Sequence, residues 1–245
     1  ASARSETPLK ELKARLGDVP PPRNFKSALL GEGVSLIAEI KRSSPSAGTI
    51  RARLDPSGQA GLYEKAGAAS ISVLTENNYF GGNLKDVFRV KNAVDIPVLR
   101  KDFIIDEYQI VESRAAGADA VLLISEMLDR DTIFRLLSRI RQLKMNALVE
   151  AHGADPLAAA ISAGAEIIGI NNRNLLTLEV NLGTSLRLLP WIPDNRIRVA
   201  ESGIESRRDF KRMSNAGANA VLIGSALVKS DNPVQKIKEI TDGKD

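Results

Sequence analysis

Residues 116–125 read AGADAVLLIS, and this stretch decides the fold. A small-residue turn, Ala116-Gly117-Ala118, closes a helix-like segment, and a run of apolar, largely branched residues follows almost at once. The same tripeptide recurs at 66–68, 163–165 and 216–218, each time ahead of such a run: SISVL, IIGI and AVLIG. Glycine suits the left-handed turn that stops a helix, and its small neighbours let helix and strand pack closely. A period of about 50 residues is long for a solenoid unit but accommodates two strand–helix units of ~25 residues each.

The extra strand expected inside each period is present. Eight candidates lie at 36–41, 70–76, 97–101, 120–125, 147–150, 167–171, 197–201 and 220–224. Amphipathic stretches separate them at 55–66, 84–93, 107–116, 129–143, 155–163, 206–216 and 233–240, with a weaker helical segment at 182–189. Near-continuous apolar strands alternating with helices imply a parallel sheet covered by helices. Eight such units fit a closed (β/α)₈ barrel. The competing fold, a doubly wound open sheet, would carry a glycine-rich dinucleotide turn after its first strand, where this chain reads KRSSPSAG. Residues 35–245 are therefore expected to form one catalytic α/β barrel domain. Residues 1–34 form a short helical extension, with a helix at 8–16, a break at Pro20-Pro21-Pro22 and a second piece at 24–30, packed outside the barrel.

Composition narrows the function. The 245 residues are 43% hydrophobic and 26% charged, as in an ordinary globular protein. No apolar run approaches the roughly 20 residues that span a bilayer, and the first residues lack the apolar core of a secretory signal. Cysteine is absent and His152 is the single histidine, so neither thiolate chemistry nor a histidine-rich metal site is expected. The net charge of +4 is interspersed and aromatics are only 4%, which disfavours a nucleic-acid partner. These features suit a cytoplasmic protein, monomeric or weakly self-associating, that acts on a small anionic molecule without metal or organic cofactor.

The stretch PVLRKDF at 97–103 then acquires a meaning. It begins as a core strand and ends on three charges. In a (β/α)₈ barrel the catalytic groups stand at the C-terminal strand ends. Those ends carry Glu39 and Lys41, Lys101, Glu150, Asn171 with Arg173, Glu201 with Ser202, and Gly224 with Ser225. Any one of them read alone is a surface ion pair worth ~0–1 kcal/mol; six polar strand ends on one ring are not explained that way. Glu39 and Lys41, two apart, share a strand face. Lysines and glutamates without cysteine imply acid–base work by ammonium and carboxylate. His152, two past Glu150, is read as a loop or supporting histidine rather than a catalytic one. Ser202-Gly203 and Gly224-Ser225 follow the seventh and eighth strands, where phosphate-binding barrels turn backbone N–H groups toward the anion.

The motifs IAEIKRSSPSAG (37–48), SVLTENNYFGG (72–82), VLRKDFIID (98–106), ALVEAH (147–152), IGINNRNL (168–175), VAESGI (199–204) and VLIGSALV (221–228) closely resemble the indole-3-glycerol phosphate synthase family of (β/α)₈ enzymes in tryptophan biosynthesis. The resemblance runs in order from about Phe25 to Lys236. It implies closure of 1-(2-carboxyphenylamino)-1-deoxyribulose 5-phosphate to indole-3-glycerol phosphate with loss of carbon dioxide and water. Two departures stand out: the segment before the first strand is shorter than the family usually carries, and Asn174 replaces a frequent aspartate.

Carried onto this chain, the resemblance makes Lys101 the general acid and Glu150 an acid or base in dehydration. Lys41 pairs with the substrate carboxylate, and Glu39 orients Lys101 by charge and hydrogen bond. Asn171, Arg173, Glu201 and Ser202 complete the polar ring. Phe80, Phe103 and Leu122 wall the aromatic ring, and Ser44 with Lys41 closes on a phosphate held by Gly203, Gly224 and Ser225. Two rivals remain open at this point: a Schiff-base aldolase using Lys101 as nucleophile, and a barrel that binds an anion without turnover.

Overall fold

The computed structural model describes residues 7–242. Eight parallel strands close a barrel in the order β1-β10-β9-β8-β7-β6-β5-β4. They are β1 (Ser35–Ile40), β4 (Ser70–Leu74), β5 (Val98–Lys101), β6 (Ala120–Ile124), β7 (Asn146–Ala151), β8 (Ile167–Asn171), β9 (Ile197–Glu201) and β10 (Ala220–Ile223). The remaining two, β2 (Ser43–Ser44) and β3 (Gly48–Thr49), form a small antiparallel hairpin in the loop after β1. Strand limits agree with the sequence reading to within two residues. The largest difference is at β4, which stops at Leu74 because the Glu76 carboxylate turns to accept the backbone N–H groups of Asn78, Tyr79 and Phe80.

The four Ala-Gly-Ala turns are one device used four times. Gly67, Gly117, Gly164 and Gly217 all have φ between 81° and 92°. At each, the glycine N–H and the following alanine N–H reach back to helix carbonyls, as in Gly67 to Glu64 and Ala68 to Tyr63. These are Schellman caps, which a residue with a Cβ would strain. Each hands the chain directly to a strand.

Strand alternation sorts the side chains into two apolar layers. One face packs outward on the helices, as with Ala38, Val73, Val121, Val149, Ile168, Ala200 and Val221. The other fills the barrel with Ile37, Leu99, Leu122, Leu148, Ile167, Val199 and Leu222. One pleat further up the same inward face come Glu39, Lys101, Glu150, Gly169, Glu201 and Gly224, with Asn171 one pleat above Gly169. The polar ring is therefore the top storey of the barrel's own packing pattern.

The N-terminal segment corrects one expectation. The first helix, α1 (Leu9–Arg15), does pack outside, where Leu12 meets Tyr108 and Val111 of α5 (Glu107–Ala115). The short α2 (Phe25–Ala28) does not. Phe25 and Leu29 are fully buried in the interior cluster with Ile37, Leu99, Ala120 and Leu148, closing the end of the barrel opposite the polar ring. The barrel is too wide there for its own small residues Ala120 and Ala220 to fill. An aromatic and a leucine from outside the sheet supply the missing volume. The expected extension begins with residues 1–6, which lie outside the described part of the chain.

Candidate active site

The run Arg100-Lys101-Asp102 is divided by the pleat. Arg100 points away from the barrel axis and binds Asp102 at 3.0 Å, Glu112 at 2.8 Å and Thr75 at 3.1 Å. Lys101 points in. Its Nζ donates to Glu150 Oε2 at 2.9 Å and to Glu201 Oε2 at 3.1 Å. Glu150 Oε1 also accepts from Asn171 Nδ2 at 3.0 Å, and Asn171 Oδ1 accepts the Arg173 backbone N–H at 2.9 Å. Strands β5, β7, β8 and β9 thus meet in one bonded group.

Lys41 is paired with Glu39 at 2.7 Å. This corrects the expected hydrogen bond from Glu39 to Lys101. Glu39 acts on Lys101 by charge alone, and the carboxylates bonded to that ammonium are Glu150 and Glu201. Glycines make the room. A Cβ on Gly169 would stand inside 3.0 Å of Glu201 Oε1, and one on Gly224 would do the same to Glu39 Oε1, closer than real Cβ atoms come.

Burial and charge set the protonation of the group. Burial opposes the Lys101 ammonium, but Glu150, Glu201 and Glu39 more than offset it and hold the proton well above the usual lysine range. Burial also opposes ionisation of Glu150, yet Lys101, His152 and the bond from Asn171 keep that carboxyl below its ordinary value. Glu201 moves the other way: burial and the neighbouring Glu150 charge push it up to about 8. Two carboxylates on one ammonium cannot both ionise freely in a dry site.

Two adjoining cavities open at this end of the barrel. One, of about 80 Å³, is lined by Glu39, Lys41, Ser44, Phe80, Lys101, Asn171, Arg173, Glu201 and Ser202. The other, of about 280 Å³, is lined by Lys41, Arg173, Ser202, Gly203, Gly224 and Ser225. Ser44 therefore faces the lysine cavity rather than the glycine one, and Lys41 faces both. Of the three apolar residues expected around an aromatic ring, Phe80 lines a cavity. Leu122 is buried in the interior one storey below Glu150, and Phe103 packs against that cluster. Among the described residues no cluster of His, Cys, Asp and Glu has an arrangement that could hold a metal ion.

Sequence reasoning missed three contributors. Asn172, 2% exposed, donates to the Ser202 carbonyl at 3.0 Å and accepts from Ser185 N–H at 2.9 Å, holding Ser202 at a φ of 67°. Only the doubled Asn171-Asn172 hinted at it. A five-residue helix, α10 (Ser225–Lys229), begins on Ser225 and is too short to show a helical period. Glu126 lies beside His152, and nothing in the sequence marks it.

A closed (β/α)₈ barrel that gathers a lysine–carboxylate group beside a glycine-lined cavity at the C-terminal ends of its strands has the layout of a barrel enzyme. The comparisons narrow this further. The family model described as indole-3-glycerol phosphate synthase matches residues 1–240. An indole-3-glycerol phosphate synthase of a Parafrankia species is 49% identical over 96% of this chain and 88% of its own length. One of a Nocardioides species is 48% identical over 98% and 93%. The chain belongs to the indole-3-glycerol phosphate synthase family, carboxy-lyases of tryptophan biosynthesis. A solved 3-hexulose-6-phosphate synthase matches at a TM-score of 0.67 and 19% identity over 84% of this chain and 98% of its own, a likeness of fold alone.

Proposed function

We propose that the barrel mouth closes 1-(2-carboxyphenylamino)-1-deoxyribulose 5-phosphate into indole-3-glycerol phosphate, releasing carbon dioxide and water. The observation that carries this reading is the largely enclosed Lys101 ammonium, bonded to the carboxyl groups of Glu150 and Glu201 and facing a cavity. Ring closure builds negative charge on the ketone oxygen, and a positioned ammonium supplies the proton as that charge develops. Lys101 fills this role. The same carboxylates argue against a Schiff-base aldolase, because a lysine held protonated is a poor nucleophile.

In this reading Lys41 pairs with the substrate carboxylate, exchanging Glu39 for it in part, and Glu39 positions Lys41 rather than Lys101. Glu150, kept ionised, takes the proton released in dehydration. Asn171 and Glu201 fix Glu150 and Lys101, and Arg173 with Ser202 orients the ribulose chain. Gly203, Gly224 and Ser225 receive the phosphate in the larger cavity, with Lys41, which faces both cavities, beside it and Ser44 in the adjoining one. Phe80 stacks on the aromatic ring, while Phe103 and Leu122 support the floor under it. The protein acts in the cytoplasm on a free metabolite, without a cofactor. No helix among the described residues is long and apolar enough to cross a membrane.

The test is indole fluorescence on incubation with this substrate. Lys101→Ala is expected to lower kcat by ~10²–10⁴-fold with a much smaller change in KM, the signature of a lost general acid. Near-normal kcat where chemistry limits the rate would exclude Lys101 and leave Lys41 as the acid.

A further inference from the structure

His152 follows Glu150 by two residues on β7 and its loop, and lines neither cavity. Its Nδ1 lies 3.1 Å from Glu126 Oε2, and its Nε2 lies 3.5 Å from Glu150 Oε1. The same Glu126 carboxylate accepts the His152 backbone N–H at 2.6 Å. Glu126 therefore grips this residue twice and sets its ring against Glu150. Both ring nitrogens are sealed from water, and neither is aligned for a full hydrogen bond, so the ring must turn to complete one. Side-chain exposure rises along the line: 2% at Glu150, 13% at His152 and 27% at Glu126. The three groups lead from the reacting end of the barrel to solvent.

The reaction proposed above supplies a need for such a line. Closing the ring puts a proton on the ketone oxygen, expelling the hydroxyl as water takes another, and dehydration returns one. Carbon dioxide leaves neutral from a carboxylate. Each turnover therefore takes up one proton from water, yet Glu150 is buried and lines neither cavity, unlike Lys101 and Glu201, which face the smaller one. Glu150 needs a carrier whose proton affinity lies near neutrality, and histidine is that side chain.

We propose that Glu126 and His152 are a proton-delivery path from bulk water to Glu150, which passes the proton on to the Lys101 group after each turnover. The Nε2–H bond breaks, an O–H bond forms at Glu150 Oε1, and the pair of electrons stays on Nε2. The neutral ring then turns and regains a proton from water through Glu126. The charged groups acting on the ring are Glu126, Glu150 and Glu201, with Lys101 beyond Glu150. Burial opposes charge on the imidazole, but these carboxylates outweigh it and raise its proton affinity above the ordinary value, so the ring carries a proton to give near neutral pH. His152 and Glu126 touch no reacting atom and act through Glu150.

The proposal rests on the reaction reading, so the wild-type protein is assayed first. Indole fluorescence reports product. No product overturns the reaction reading and the path with it. His152→Ala is then expected to lower kcat about 10-fold at pH 8 in dilute buffer, within the range for proton-transfer groups, with KM little changed. Added imidazole is expected to restore that rate in proportion to its concentration and to leave wild type unaffected. Glu126→Gln, which keeps the shape of its side chain, is expected to show a smaller loss with the same rescue, and carries the test if the histidine variant fails to fold. A wild-type kcat in both variants, or a loss that imidazole does not repair, would overturn the path.

Discussion

Gly169→Ala is expected to cut turnover by about 10²-fold while leaving the barrel folded, because a displacement of roughly an ångström at the reacting groups costs that much. Gly169 sits on the inward face of β8, directly beneath Asn171, and the Glu201 carboxylate occupies the space its missing side chain leaves. A Cβ there would lie inside 3.0 Å of Oε1, 3.1 Å from Cδ and 3.3 Å from Leu148 Cδ1. Leu148 is fully buried and backs onto the interior core, so it gives little. Glu201 must move instead, and its 3.1 Å bond to Lys101 is the one that breaks. Overpacking of this kind costs ~1–3 kcal/mol, which for a chain of this size lowers Tm by about 2–4 °C per kcal/mol. Steady-state kinetics by indole fluorescence, alongside a thermal melt, separates the two effects. The double variant Gly169→Ala/Glu201→Asp shortens the displaced carboxylate, so it is expected to regain stability without regaining kcat. A single variant with wild-type kcat and KM would refute the idea that Glu201 must hold Lys101 at this distance.

Gly224→Asp is expected to weaken binding of inorganic phosphate or a phosphate-bearing inhibitor by more than 10-fold, since it places a carboxylate in the proposed anion cavity; unchanged Kd by titration would remove phosphate from that cavity. Its Cβ also collides with Glu39, so Ser225→Asp, which avoids that clash, serves as its companion and is expected to weaken binding in the same direction. Phe25→Ala empties a fully buried site at the closed end of the barrel and is expected to destabilise the fold by ~3–5 kcal/mol with kcat retained, as denaturant melts and kinetics at low temperature will report. Glu201 is expected to make stability fall as pH rises from about 4.5 to about 8: the folded form holds the proton that the unfolded form has released. Glu201→Gln, which cannot titrate, is expected to flatten that slope in urea midpoints measured across the range, and an unaltered slope would count against a raised Glu201.

The barrel was legible because its two strongest signals are local. The Ala-Gly-Ala caps require a left-handed residue at fixed positions, and the apolar runs that follow can only be buried strands. The polar ring was legible for the same reason: Glu39, Lys101, Glu150 and Glu201 continue the inward alternation of their own strands. What the sequence hid is pairing between strands. Glu39 and Lys101 stand two strands apart, with β4 between them, so although the spacing puts Lys41 beside Glu39, nothing along the chain tells that Glu150 and Glu201 take Lys101. The family resemblance places Leu122 beside the aromatic ring, yet the register with Leu148 sets it one storey lower. Phe25 read as part of an outer helix because a four-residue helix has no periodicity, and its destination depends on a gap that only the closed barrel creates. Asn172, Glu126 and the start of α10 act through loops, where identity carries geometry only after folding.

The interior position of Phe25 and Leu29 has a consequence for how the chain reaches its native state. Both leave the ribosome before any strand of the barrel exists. The walls they fill are contributed by residues from Ile37 to Leu222, so the cavity awaiting them is complete only when β10 has joined β1. Residues made ahead of every strand are thus expected to be seated only after the ring has closed. Ring closure and insertion are expected to be coupled, because an unplugged ring leaves a hole at one end and an unseated Phe25 stays in water. The segment works as a bolt shot after the door has closed.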